Sequence, residues 1–139
     1  MRLVLDTNVI VAAFRSRNGA SNQLLRLVDQ GAVTPLCSTA LFLEYEAVLS
    51  REEIRKATNH TLKDVEAVMS ALAAASEGVD ISFRTRPMLA DAADEMVLEA
   101  ALNGQAEAIV THNVKDFRPA LELGVAITTP AEIVRRLNA

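Results

Sequence analysis

Carboxylates stand at several places in this chain where they could do chemistry. Asp6 follows the apolar run Leu3-Val4-Leu5, and Asp116 lies a short loop beyond Ile109-Val110-Thr111. Asp91 and Asp94 are three residues apart, while Glu44 and Glu46 sit in an otherwise apolar stretch. An acid at the end of a buried strand is costly unless a cap, a cation or water compensates it. Hard divalent cations such as Mg²⁺ and Mn²⁺ take oxygen ligands, commonly a few carboxylates with water and a substrate phosphate. A carboxylate set without nitrogen or sulfur ligands suits those ions and not zinc. The reaction class it points to is metal-assisted hydrolysis at phosphorus.

Each acid also has a plainer account. Asp6 is a good helix cap, and Asp116 could be a solvated loop acid or cap the turn Phe117-Arg118-Pro119. Asp91 and Asp94 share one side of a helix's first turn, where one caps and the other favours the positive helix end. Glu44 and Glu46 lie near opposite margins of the face carrying Leu41, Tyr45, Val48 and Leu49, and spacing does not choose between them. Only the convergence of acids from separate segments on one end of a sheet would favour a site.

The elements that must position these acids alternate. Arg2–Leu5 forms a short buried strand, and Asp6 or Thr7 caps a helix through Phe14. Ser21 opens a second helix that Gly31 ends, and Val33–Cys37 is a second strand. Ser38 or Thr39 caps a helix to about Ser50, followed by the polar segment from Arg51 to Lys56. Thr61–Ser76 is a strong helix, Val79–Phe83 a third strand, and Asp91 begins a helix ending at Asn103-Gly104. Strands at Ala108–Thr111 and Val125–Thr128 follow, and Thr129-Pro130-Ala131-Glu132 starts the last helix. Short strands alternating with helices give a single α/β domain over residues 1–139. Its expected form is a three-layer sandwich around a mostly parallel sheet of about five strands. In such sheets, sites form at the carboxyl ends of the strands near a topological switch point, where Asp6 and Asp116 fall.

Composition narrows the class further. With 139 residues, 50% of them hydrophobic and 23% charged, the chain has material for one core without disulfides. The one cysteine, Cys37, has no internal partner and reads as a buried core residue in a reducing, cytoplasmic compartment. No secretory signal and no membrane-length apolar run is visible. The net charge of −4 argues against non-specific nucleic-acid binding, unless cations bound among the acids change the local sign.

Leu3-Val4-Leu5-Asp6-Thr7-Asn8 resembles the opening motif of PIN-domain proteins, and Glu44-Tyr45 with Val48-Leu49 resembles the segment of their second acid. Asp91-Ala-Ala-Asp94-Glu95 is similar to the third motif, and Ile109 to Phe117, containing Asp116, to the fourth. Gly124 to Pro130 matches the closing strand and helix start, so the resemblance spans essentially the whole chain. It implies a Mg²⁺- or Mn²⁺-dependent nuclease cutting single-stranded or loop RNA, with tRNA a candidate substrate. Asp6, Glu44, Asp94 and Asp116 would be catalytic metal ligands and Asp91 an auxiliary ligand. Thr7, Asn8, Thr111 and Asn113 would orient carboxylates or water. Small bacterial members of this kind include toxins of VapBC-type toxin–antitoxin pairs, homodimers silenced by an antitoxin protein.

On that reading water attacks the phosphodiester in line, a 3′ hydroxyl leaves, and neither His60 nor His112 is required as a base. Arg15, Arg17, Lys115 and Arg118 are the expected phosphate contacts, with Arg51, Arg55 and Lys56 as further cations. One tyrosine, four phenylalanines and no tryptophan leave little for base stacking. Two alternatives remain: a catalytically inert interaction module of the same fold, and a phospho-receiver signalling domain. The second normally carries paired acids after its first strand and a lysine before a late proline. Here Asp6-Thr7-Asn8 and Thr128-Thr129-Pro130 stand in those places. No Gly-x-Gly-x-x-Gly follows the first strand, which disfavours a dinucleotide enzyme.

Overall fold

The computed structural model describes residues 1–82, 84 and 88–138. Its first strand, β1 (Arg2–Leu5), is apolar after Arg2, and Leu3, Val4 and Leu5 are buried. Helix α1 (Thr7–Arg15) follows at once, and α2 (Ala20–Asp29) leads to β2 (Thr34–Cys37). Three helices come next: α3 (Thr39–Leu49), α4 (Glu52–Thr58) and α5 (Leu62–Ala75). Then come β3 (Glu77–Gly78), α6 (Ala92–Gly104) and β4 (Ala108–Val110). A 3-10 segment (Val114–Leu123), β5 (Ile127–Thr128) and α7 (Pro130–Asn138) close the chain.

All five strands are parallel, in the order β3-β2-β1-β4-β5. The chain winds outward from β1 to β3, then recrosses to add β4 on the other side of β1. Right-handed crossovers made in opposite directions cover opposite faces of a sheet. The expected α/β architecture with a five-stranded parallel sheet is therefore the one present, and its switch point lies between β1 and β4. Leu3, Val4 and Leu5 pair in register with Ala108, Ile109 and Val110, so both strands end at the same level.

Local chemistry explains most boundaries. Ser38 caps α3 by accepting from the Leu41 N–H at 3.2 Å. Thr61 and Asp64 form a capping box at the start of α5. Thr129 accepts from the Glu132 N–H at 3.3 Å, with Pro130 in the first turn of α7. The core joins both layers, with Leu36, Leu41, Leu98, Phe117 and Ile133 fully buried.

Three expectations need correction. The third strand is Glu77–Gly78 rather than Val79–Phe83, of which Phe83 lies outside the described residues. The Val79 N–H makes a last bond to the Cys37 carbonyl, and the Ser82 N–H then bonds the Asn103 side chain. The chain has left the sheet for the end of α6. Ser21 does not cap α2, since Gly19 holds that position and the Ser21 hydroxyl is engaged elsewhere. The polar segment after Ser50 is itself a helix, α4, with acids in its first turn and bases in its last.

Candidate active site

The ends of β1 and β4 bring Asp6 and Thr111 side by side. The Asp6 N–H bonds the Val110 carbonyl at 2.9 Å, and the Thr111 N–H bonds the Thr128 carbonyl at 3.0 Å. Asp6 occupies the capping position of α1, but its side chain makes no cap hydrogen bond. The Thr111 hydroxyl instead donates to Asp6 Oδ2 at 2.7 Å. Asp6 is only 7% exposed, so this bond serves a carboxylate that water barely reaches. Burial pushes the Asp6 carboxyl above its ordinary range, opposed by the Thr111 hydroxyl and the Thr7 N–H. Asp116 and Asp91 add to the upward push.

Asp94, in the first turn of α6, belongs to the same field. Its pKa is pushed up to about 6, first by burial and then by Asp6, Asp91, Asp116 and Glu95. A like charge that raises a carboxyl's pKa must stand near it. The structure thus gathers Asp6, Asp116 and the Asp91–Asp94 pair into one acidic neighbourhood, from three separate segments of chain. Asp91 divides its role: Oδ1 accepts from the Ala93 N–H at 2.8 Å and caps α6, yet its charge still reaches both Asp6 and Asp94. Asp116 is exposed in the first turn of the 3-10 segment, where its N–H bonds the Asn113 carbonyl at 3.0 Å.

Glu44 is half-buried on α3 and is not among the groups that shift Asp6 or Asp94. Its neighbour Tyr45 is buried and donates its hydroxyl to the Leu5 carbonyl, one residue before Asp6. That bond fixes α3 against the end of β1. Glu46 is exposed and lines a different cleft, with Leu43, Leu62 and Glu66. Tyr45 adjoins both glutamates, and of the two Glu44 is the less exposed.

The supporting polar residues are bonded to one another. Asn8 Oδ1 accepts from the His112 N–H at 3.4 Å, and the Thr111 hydroxyl accepts from the Asn113 N–H at 3.0 Å. The Asn113 side chain is exposed. His112 Nε2 and the buried Ser21 hydroxyl are 2.8 Å apart, tying the loop after β4 to the first turn of α2. That pairing joins residues 91 positions apart and had no signal in the sequence. Nor did Glu95, which accepts from the N–H groups of Met88 and Leu89 and fastens the approach to α6. Arg15, Arg17, Lys115 and Arg118 are all exposed, the last two on either side of Asp116.

The donor chemistry, oxygen only and strongly anionic, fits a hard divalent cation. The carboxylates stand within electrostatic reach, but among the described residues no three of them converge closely enough to ligate one ion. A cation would offset the mutual repulsion that raises Asp6 and Asp94. Also among the described residues, no helix is long and apolar enough to cross a membrane.

A family model described as PIN domain matches residues 2–115. The matched span contains Asp6, Glu44, Asp91, Asp94 and Thr111 and stops one residue short of Asp116. Comparison with characterised proteins gives no match.

Proposed function

We propose that this chain, which belongs to the PIN-domain family, is a metal-dependent endoribonuclease that hydrolyses RNA phosphodiester bonds. PIN domains are generally nucleases and typically use divalent metals, and the family carries the reading that far. The observation that supports it in this chain is the acidic centre at the β1–β4 switch point, where burial and the nearby charges of Asp91 and Asp116 push Asp6 and Asp94 upward.

Asp6, Glu44, Asp94 and Asp116, with their side chains turned toward a shared ion, would hold Mg²⁺ or Mn²⁺, with Asp91 as an auxiliary acid. When bound, the cation supplies the charge that activates water and stabilises the departing oxygen. The protein's own groups prepare the place. Thr111 fixes the rotamer of Asp6, and Asn8 and Asn113 hold the loop that carries Thr111 and Asp116. Asp94, with a pKa of about 6, is largely ionised at neutral pH and protonated in mild acid. Arg15, Arg17, Lys115 and Arg118 supply positive charge for the phosphates on either side of the scissile bond.

The finer reading is that the chain is the toxin of a VapBC-type pair, acting in the cytoplasm as a homodimer and silenced by an antitoxin protein. The deciding experiment is cleavage of a labelled pool of structured RNAs, tRNA included, with Mn²⁺ and with EDTA. Wild type and Asp94→Asn are purified identically and compared. Loss of cleavage by chelation and by substitution is expected. Cleavage indifferent to both would come from a contaminant and overturn the assignment. No cleavage together with no Mn²⁺ binding in a titration would leave the inert interaction module of the same fold.

A further inference from the structure

Away from the acidic centre, several cations of this acidic chain stand around one turn. Helix α4 and the turn after it line an open cleft of about 300 Å³ with Glu52, Arg55, Lys56, Asn59, His60 and Thr61. Helix α4 packs against α1, and the His60 ring lies 5.0 Å from that of Phe14, next to Arg15 at the end of α1. Arg15, Arg17, Arg51, Arg55 and Lys56 therefore belong to one neighbourhood. They are five of the 14 lysines and arginines in a chain of net charge −4. The acids there are Glu52 and Glu53, in the first turn of α4, and Asp64, whose carboxylate accepts from the Thr61 N–H at 2.8 Å and is held in the capping box of α5. Glu52 reaches Lys56 at 3.5 Å, but both side chains are about three-quarters exposed. So exposed a pair contributes little to stability and yields readily to a phosphate. The dipoles of α4 and α5 meet at this turn with opposite sign and largely offset each other.

Two features suit the cleft to a ligand rather than to solvent alone. His60 Nδ1 is buried and has no hydrogen-bond partner among the described residues. The His60 ring thus brings an unbonded polar atom to the wall of the cleft, beside its basic groups. The cleft is also connected to the acidic centre. Helix α1 begins beside Asp6 and ends at Arg15, and its nine residues span about 13 Å. The cations lie one short helix away from the carboxylates.

We propose that the α4–α5 turn is a backbone-phosphate subsite for single-stranded RNA, holding the strand a few nucleotides from the bond that is cut. It rests on the ribonuclease reading above and adds to it where the strand runs. Lys56 and Arg55 neutralise phosphates, while Asn59 and Thr61 offer polar side chains at the mouth. Contacts of this kind position a strand without reading its sequence.

The test is binding, measured in EDTA so that no cleavage occurs, by fluorescence anisotropy of a labelled single-stranded RNA from 50 mM salt upward. For wild type, log affinity falls linearly with log salt, with a slope of about −0.7 for each neutralised phosphate. Arg55→Gln/Lys56→Gln is expected to flatten the slope by about 1.4 and to weaken binding at low salt roughly tenfold or more. Arg55 also donates to the Ser50 carbonyl at 3.1 Å, so Lys56→Glu serves as a second variant at an exposed position. It should weaken binding without changing thermal stability. Arg135→Gln on α7, outside the cleft, is expected to leave affinity and slope as they are. Wild type that binds RNA with an affinity and slope indifferent to the α4 variants would overturn the subsite and leave the nuclease reading standing. Wild type that binds no RNA even at 50 mM salt would overturn the subsite, while the Mn²⁺ cleavage assay decides the nuclease reading separately.

Discussion

Thr111 is the residue on which the acidic centre turns. It gives its hydroxyl proton to Asp6 and accepts from the Asn113 N–H, so one side chain fixes both the deepest carboxylate and the following loop. Thr111→Val keeps the shape and removes the donor. It should cost about 1–3 kcal/mol in urea unfolding at neutral pH and lower cleavage about 10- to 100-fold, the usual price of losing a ligand-orienting bond. Thr111→Ser should restore most of both. Asp94 makes a separate prediction through pH. Its folded-state pKa of about 6 lies above its ordinary value of 3.8. Between those values the folded chain binds more protons than the unfolded one, so the Asp94 contribution to stability falls as pH rises from 3.8 to about 6 and is flat above. Metal-free Asp94→Asn should therefore melt higher than wild type at pH 7, by on the order of 2–4 °C once solvent screening is allowed for. At pH 4 the two should coincide. A wild type that melts higher at pH 7 without metal would contradict this account of Asp94.

At the scale of elements, α6 shows how tightly the sheet and its helices fit. Its last residue, Gly104, faces Val79 and Leu36, and a Cβ there would stand 2.9 Å from Val79 Cγ2 and 3.2 Å from Leu36 Cδ1. Gly104→Ala should destabilise the fold by about 1–3 kcal/mol despite alanine's better helix propensity. Urea unfolding would show it. Gln105, the next residue, holds φ at 51°, in the left-handed region that glycine occupies without strain. Gln105→Gly should stabilise by about 0.5–2 kcal/mol in the same measurement. Opposite outcomes at adjacent positions would separate close packing from backbone strain as causes.

Across the whole molecule, the acidic centre is a deliberate concentration of charge that folding alone does not favour. Four aspartates brought together repel one another, and their ionised forms stabilise only when a cation joins them. Mn²⁺ should therefore raise the melting temperature at pH 7 and do so less at pH 5, where Asp94 is largely protonated. Calorimetric titration in buffers of different ionisation enthalpy would register the released protons. Equal stabilisation at both pH values would mean that the ion binds elsewhere. The net charge of −4 becomes less of an obstacle to RNA once cations occupy the centre and the α1–α4 side carries its five basic residues outward.

Much of this was legible from residue order. The apolar run before Asp6, the Ser38 cap and the Thr129-Pro130 start were readable from residue order, because capping and strand burial depend on neighbours a few positions apart. The alternation of strands and helices led to the parallel sheet for the same local reason. The short third strand was misplaced because two residues of pairing leave no periodic signature, and its end is set by the Asn103 side chain, 21 positions away. Only the tertiary structure brought Asp6, Asp91, Asp94 and Asp116 into one electrostatic centre. It also left Glu46 exposed, beside Leu43, Leu62 and Glu66, with Glu44 half-buried, and it gave Ser21 a histidine partner instead of a helix to cap. Contacts of that kind depend on how the sheet reverses direction at β1, and no local pattern encodes the distance between segments that the reversal closes.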